Sequence, residues 1–412
     1  MTFEEGHFNN SVNFSGTTFA NEVRFVGAVF QNCIFEGAHF QGAIFFSGTG
    51  RVPAHFLNQA DFKRTVFEKY ADFRGVVFEN SAEFSRQNIQ ERTKNKSVFL
   101  EDALFNGAIF NSLAQFGACE FQRVEFRRAT FTKEAYFGDA SFDGYTNFLE
   151  TTFRDHADFN NAKFTNSEEG VAFGEAKFYG NFTDFRNVLF NGIHANFRDT
   201  GFTGEFVSFQ NAKFRNLNDQ EIACRKARKQ LKSSENKDEE DLMHYAEMDA
   251  KRRQKGITKT LYPESLIRSE LGRGGRSELG ALSIKEFIQY FREAIANHEW
   301  SKVTIGFVRY NIIEKFLFQW IFGGYGISWY KIAISWLFIS ILLGIYYWLF
   351  QGIGGASCLP QNVYFSFLVA FTRGYNSFHP NPNFELIVAI EVVFGLIMFG
   401  IFIASITRKY MR

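Results

Sequence analysis

Phenylalanine recurs in this chain at steps of five or six residues, and that spacing constrains the backbone more than any other feature. It runs through Phe25, Phe30, Phe35, Phe40 and Phe45, then through Phe56, Phe62, Phe67, Phe73, Phe78 and Phe84. A third run leads from Phe99 to Phe164, and a looser one from Phe173 to Phe214. A five-residue period matches neither the 3.6 of an α-helix nor the 2.0 of a flat strand. It suits a square coil in which each side is one repeat and each side sends one ring inward. A small residue stands two positions before most of the rings and gives them room: Ala28, Ala38, Ala43, Ala60, Ala71, Ala103, Ala108, Ala157, Ala162 and Ala212. Cys33 and Cys119 fill the same slot before Phe35 and Phe121, so both read as small inward residues. The chain holds 55 Phe against 5 Pro, a bias that an ordinary core does not need and an in-register repeat does.

The pattern resembles the pentapeptide-repeat family over residues 3–214. The resemblance implies a right-handed quadrilateral β-helix, a pentapeptide-repeat solenoid occupying residues 1–216. Five- and six-residue steps often alternate, as in the six-residue step from Phe67 to Phe73, so a coil should take about 22 residues. About ten coils at strand spacing predict a rod of roughly 45–50 Å. The register breaks over Phe46–Ala54, Ser85–Val98 and Ser167–Val171, and the polar stretch after Ser85 reads as a loop ejected from the rod.

Net charge is +1, which argues against a nucleic-acid partner recruited by global charge. The segment to Asn216 carries about 21 basic and about 26 acidic side chains, interspersed, which does not suit a mimic of DNA either. His7, His39, His55, His156 and His194 fall on variable wall positions, and the four cysteines lack metal or redox spacing. No nucleophile–base pair, metal set or phosphate loop is present, and Gly272–Gly275 lacks the Lys-Ser/Thr of a P-loop. An enzyme is not expected, and no cofactor is implied. Met1–Asn10 is polar, so membrane insertion is expected to use internal segments.

Residues 217–283 read as a basic helical linker. Asp219–Ser233 and Asp238–Lys255 have helical apolar spacing, with Arg225, Lys226, Arg228, Lys229, Lys251, Arg252 and Arg253 facing either solvent on a capping pair or anionic lipid. Gly256–Ser283 reads as a mobile connection. Residues 284–328 carry an apolar stripe with Trp320 and Lys315, the pattern of helices lying in a membrane interface.

Residues 329–412 read as a membrane module. Two apolar stretches, 329–350 and 386–407, are each long enough to cross the ~30 Å hydrocarbon layer. Lys315 and Lys331 precede the first, and Arg408, Lys409 and Arg412 follow the second. The positive-inside rule then puts both termini in the cytoplasm, with the protein a multi-pass component of the cell (inner) membrane. Trp329, Trp336, Tyr346, Tyr347 and Trp348 read as interface anchors. Between the spans, 360–371 is an apolar, Pro-initiated helix too short to cross. It leads into Thr372-Arg373-Gly374-Tyr375-Asn376. A short helix, a Gly loop and a return helix make a re-entrant element, tolerated at membrane depth only where it lines water or protein.

This part resembles the two-transmembrane potassium-channel family, whose filter reads T-V-G-Y-G in four copies around an axis. Thr372, Gly374 and Tyr375 match that filter, Arg373 and Asn376 depart from it, and the run through Glu391 to Gly395 resembles bacterial members. The resemblance implies a homotetramer, a lipid bilayer and a permeant inorganic ion. Asn376 tolerates a left-handed backbone, but Arg373 keeps its charge. Three readings stay open. Arg373 lines the pore and disfavours potassium, or it lies behind the filter paired with Glu385 or Glu391, or the module does not conduct. His379 reads as a residue of the pore mouth. The expectation is a channel with an atypical filter and a repeat rod able to dock a cytosolic protein. The alternative is a non-conducting membrane-anchored scaffold.

Overall fold

The computed structural model describes residues 1–48, 50, 52–85, 96–166, 168–255, 329–371 and 378–410. The expected interfacial helices at 284–328, the connection at 256–283 and the filter at 372–376 lie outside these residues. The described chain divides into two compact units, one of which ends at Gln254.

The first unit is a parallel β-solenoid of thirty-one short strands, β1 (His7–Asn13) to β31 (Lys213–Phe214), nearly all paired in register with strands one coil away. Its centre is four columns of stacked rings. One column runs Phe8, Phe30, Phe56, Phe78, Phe110, Phe131, Phe153, Phe178 and Phe202, with neighbouring centroids 4.7–5.2 Å apart. The others start at Phe14, Phe19 and Phe3 and advance in the same way. Rings of adjacent columns meet edge to face, as Phe110 and Phe116 do at 83°. Stacking along the axis and T-contacts across it are the two arrangements that aromatic quadrupoles favour.

The corners explain the alternation of five and six. After the rings of the second and fourth columns, Phe46 and Phe84 aside, the chain makes a β-turn. The residue two positions past the Phe has positive φ, and the amide one further donates to the Phe carbonyl, as Ala38 does to Phe35 at 2.8 Å. This is the type II signature. Gly27, Gly37, Gly75 and Gly107 take the strained position where glycine is present; Arg64, Arg128, Asp139 and Glu150 take it elsewhere. An Asx or Ser side chain just before the ring often clamps the corner, as Asp72 accepts from the amide of Arg74 at 3.0 Å. These turn corners take five residues. At the other two corners the chain bends without such a turn, so β4 (Val29–Ile34), β13 (Val98–Leu104) and β16 (Glu120–Glu125) run continuously round them. Most of these bends take six residues, and the last ones seven. The cross-section is therefore two bent sheets separated by two turn corners.

Three expectations change. The fourth ring of the second coil is Phe46, fully buried and stacked between Phe25 and Phe73, because the bend after Phe40 takes six residues. Phe45 points outward under the guanidinium of Arg24. Ile44, not Ala43, is consequently the buried residue before that ring. The rod has nine rings per column, hence eight coil steps and about 39 Å from first ring to last, not ten coils. The insertions consume residues without adding a rung. Two of them leave the rod at turn corners and keep the turn's hydrogen bond: Ala54 donates to Phe46 O at 2.7 Å, and Ser97 to Phe84 O at 2.9 Å.

The last coil is closed by α1 (Leu217–Ser233), capped by Asn216, whose side chain accepts from the amide of Asn218. Ala223, Cys224, Ala227 and Leu231 extend the phenylalanine core. Polar side chains occupy the free sheet edge: Asp219 accepts from the amide of Ala195 at 2.9 Å, Lys226 donates to Thr200 O at 3.3 Å and Gln230 to Gly204 O at 3.2 Å. An edge satisfied in this way cannot recruit another strand. Helix α2 (Lys237–Lys255) packs beside it through buried Met243 and Glu247, and Glu247 pairs with Arg228 and Lys251. With Arg225 also paired to Glu221, the basic residues of this segment are largely engaged within the helical cap. Burial pushes the Cys224 thiol up to about 12 and the Cys33 thiol higher still, so both are poor nucleophiles.

Two outcomes follow. Phe116 is sandwiched between Phe84 at 4.6 Å and Phe137 at 5.2 Å, so Phe116→Ala should cost about 3–5 kcal/mol in denaturant unfolding of residues 1–254. Arg64 holds φ 59° at a turn corner with only a 3.9 Å ion pair to Glu36. Arg64→Gly should therefore stabilise the same unit by about 0.5–1 kcal/mol.

Candidate functional site: a pore-helix module

The second unit contains three described α-helices. Helix α3 (Trp329–Leu349) has 21 residues and α5 (Glu385–Tyr410) has 26, both apolar and long enough to cross a membrane. Between them lies α4 (Leu359–Phe371), with 13 residues and a length of about 20 Å. The start of α4 is fixed locally: Gln361 Oε1 accepts from the amide of Ser357 at 2.8 Å and from that of Cys358 at 3.4 Å.

Small residues let the three helices approach closely. A Cβ on Gly344 of α3 would lie 2.5 Å from Val363 Cα of α4, and one on Gly395 of α5 would lie 2.3 Å from the carbonyl oxygen of Ala370. The inner stripe of α3 is Ile332, Ser335, Trp336, Ser340, Gly344 and Tyr347. On α4 it includes Asn362, Phe365, Ser366, Val369 and Ala370, and on α5 Val388, Glu391, Met398 and Ser405.

Glu391 is 3% exposed, in the middle of an apolar helix, and both of its carboxylate oxygens are engaged. The Tyr347 hydroxyl donates to Oε2 at 2.6 Å, and the Ser366 hydroxyl donates to Oε1. One side chain from each helix thus meets at one carboxylate. A hydrogen bond to a charged group contributes about 1.5–3 kcal/mol, and a buried carboxylate without partners would be costly.

On the side where α3 ends and α5 begins, Gln351 turns with φ 49° and Gly352 donates to Tyr347 O at 2.8 Å. Ile353–Gly354 then pairs antiparallel with His379–Pro380, and Asn381 Nδ2 donates to Gln351 O at 2.6 Å. His379 is exposed and lies over Gly354, where a Cβ would be 2.4 Å from the ring's Nε2. Glu385 is exposed at the first residue of α5. Of the candidate residues, His379, Glu385 and Glu391 are therefore placed on three different features, and only Glu391 is packed between helices. Thr372, Arg373, Gly374, Tyr375 and Asn376 lie outside the described residues.

Two expected interface anchors are interior residues instead. Trp336 is 4% exposed with its ring 6.2 Å from that of Phe399, and Tyr347 is fully buried against Phe365 and Glu391. The sequence did carry a signal for this: Tyr347 falls three residues after Gly344 on the stripe that starts at Ile332, at helical spacing. Ser366 carried no comparable signal.

Comparison with known families agrees with both halves. Residues 3–50 and 95–141 match the family model of pentapeptide repeats in nine copies, and residues 334–412 match the family model described as ion channel. No curated protein matches the chain. The chain is a fusion of pentapeptide repeats with a two-helix ion-channel domain, and that domain with its two membrane-length helices points to a membrane protein.

Gly344→Ala should force α3 and α4 apart and cost about 1–3 kcal/mol, seen as a lower thermal unfolding midpoint in detergent. Gly400→Ala on α5 is the control, because nothing lies within 4 Å of the added methyl. It should leave the midpoint unchanged or raise it.

Proposed function

We propose that this protein is a tetrameric ion channel whose pore is built from residues 329–412. The supporting observation is the 13-residue helix α4 held between two membrane-length helices by Gly344, Gly395 and Glu391. A helix too short to cross, wedged between two that can, is what a re-entrant pore helix requires. Thr372–Asn376 follows α4 directly and supplies the filter in this reading, four copies meeting on an axis. His379 and Glu385 then border the pore mouth.

Arg373 sets the selectivity in this reading. Four guanidinium groups about 5 Å from a passing cation each repel it by roughly 3 kcal/mol at an effective dielectric of ~20. Strong potassium selectivity is therefore not expected, and non-selective or anion permeation is favoured. The excess of Lys and Arg outside the two spans supports cytoplasmic termini in the cell (inner) membrane, with the solenoid on that side. There the rod offers a docking surface by which a cytosolic protein can bias gating.

Planar-bilayer recording of the purified full-length protein tests this. Wild type should conduct with a reversal potential in asymmetric KCl displaced from the potassium equilibrium value. Arg373→Val should move it toward that value and raise cation conductance by at least about tenfold. Silence of both proteins would overturn the channel reading in favour of a non-conducting membrane-anchored scaffold.

A further inference from the structure

We propose that Glu391 is a positioning residue which, through Tyr347 and Ser366, fixes the register of the pore helix and so sets how long the pore stays open. The inference rests on the channel reading for its effect on conduction, but its geometry stands independently. Val363, Ser366 and Ala370 follow one another at helical spacing along α4. Val363 meets the backbone of α3 at Gly344, Ala370 meets that of α5 at Gly395, and Ser366, between them, donates to Glu391. The two glycine contacts are steric. They fix how close the helices come, yet they leave α4 able to slide or turn, because dispersion contacts are non-directional.

The hydrogen bonds from Ser366 and Tyr347 are directional and converge on one carboxylate from two helices 25 and 44 residues away in sequence. They are therefore contacts that can hold α4 in one register. Tyr347 is also two residues from the end of α3, and its carbonyl accepts from the amide of Gly352 at 2.8 Å. The same residue thus anchors the segment whose strand pairs with His379–Pro380. The frame on both sides of the filter segment is held through Tyr347 and Glu391.

The test uses the full-length protein in lipid nanodiscs, with amide hydrogen exchange over residues 359–371 and single-channel recording in parallel. The variants are Glu391→Gln, Tyr347→Phe, Ser366→Ala, the double Tyr347→Phe/Ser366→Ala, and the conservative Ser366→Thr. The double variant and Glu391→Gln should exchange about tenfold faster over 359–371, with residues 217–255 unchanged. Ser366→Thr, which keeps the hydroxyl, should retain wild-type protection. In recordings, mean open time should fall about tenfold at unchanged unit conductance.

Unchanged exchange in the double variant would overturn the proposal. So would an Arg373→Val variant that loosens 359–371 as much as Glu391→Gln does, since the arginine would then be the partner that matters. Were Glu391→Gln not to fold, the two hydroxyl deletions still decide. If wild type does not conduct, the channel reading fails while hydrogen exchange still tests the clamp.

Discussion

A benzene ring stacks on another at nearly the spacing at which one β-strand pairs with the next. In the solenoid, neighbouring rings of a column lie close to 4.9 Å apart, for example Phe56 and Phe78, or Phe78 and Phe110. Strands hydrogen-bond at 4.7–4.9 Å. Because the two distances coincide, a phenylalanine at the same place in every coil satisfies the backbone ladder and the core at once. Each ring inside a column has partners above, below and beside it, and these inner rings are buried. The wall then needs only small residues beside the rings and polar ones outside, which is why its exterior is free to vary.

That coincidence also explains how the rod tolerates irregularity. A coil gains its stability from the four columns, so what happens at a corner matters only if it moves a ring. The insertions after Phe46 and Phe84 leave at turn corners and return with the same carbonyl accepting an amide, so the columns continue without a missing ring. At the far end the columns need a lid, and α1 supplies it with Ala223, Ala227 and Leu231 instead of another set of rings.

The helical module obeys a different economy. No ladder fixes the relation of α3, α4 and α5, and apolar faces alone slide past one another. Two glycines bring the backbones together, and one carboxylate with two hydroxyl donors gives the packing a direction. A buried acid in a membrane-length helix is costly unless partnered, and here two hydroxyl donors partner it.

The phenylalanine period alone determined the solenoid, because a local rule repeated dozens of times admits one kind of coil. Two apolar stretches flanking a short one likewise exposed a helical module built to meet a membrane, since hydrocarbon thickness fixes how long a span must be. The choice between Phe45 and Phe46, the eight coil steps and the division into turn corners and bends were not legible. They depend on the backbone φ taken at each corner, and residues as different as Gly75, Arg64 and Glu150 take the same positive value. The partners of Glu391 were hidden for another reason: Tyr347 and Ser366 are distant in sequence, and no periodic pattern links a tyrosine, a serine and a glutamate on separate helices. Only the packing of three helices brings them within hydrogen-bonding reach, because the glycine contacts that set the distances between helices exist only once the chain has folded.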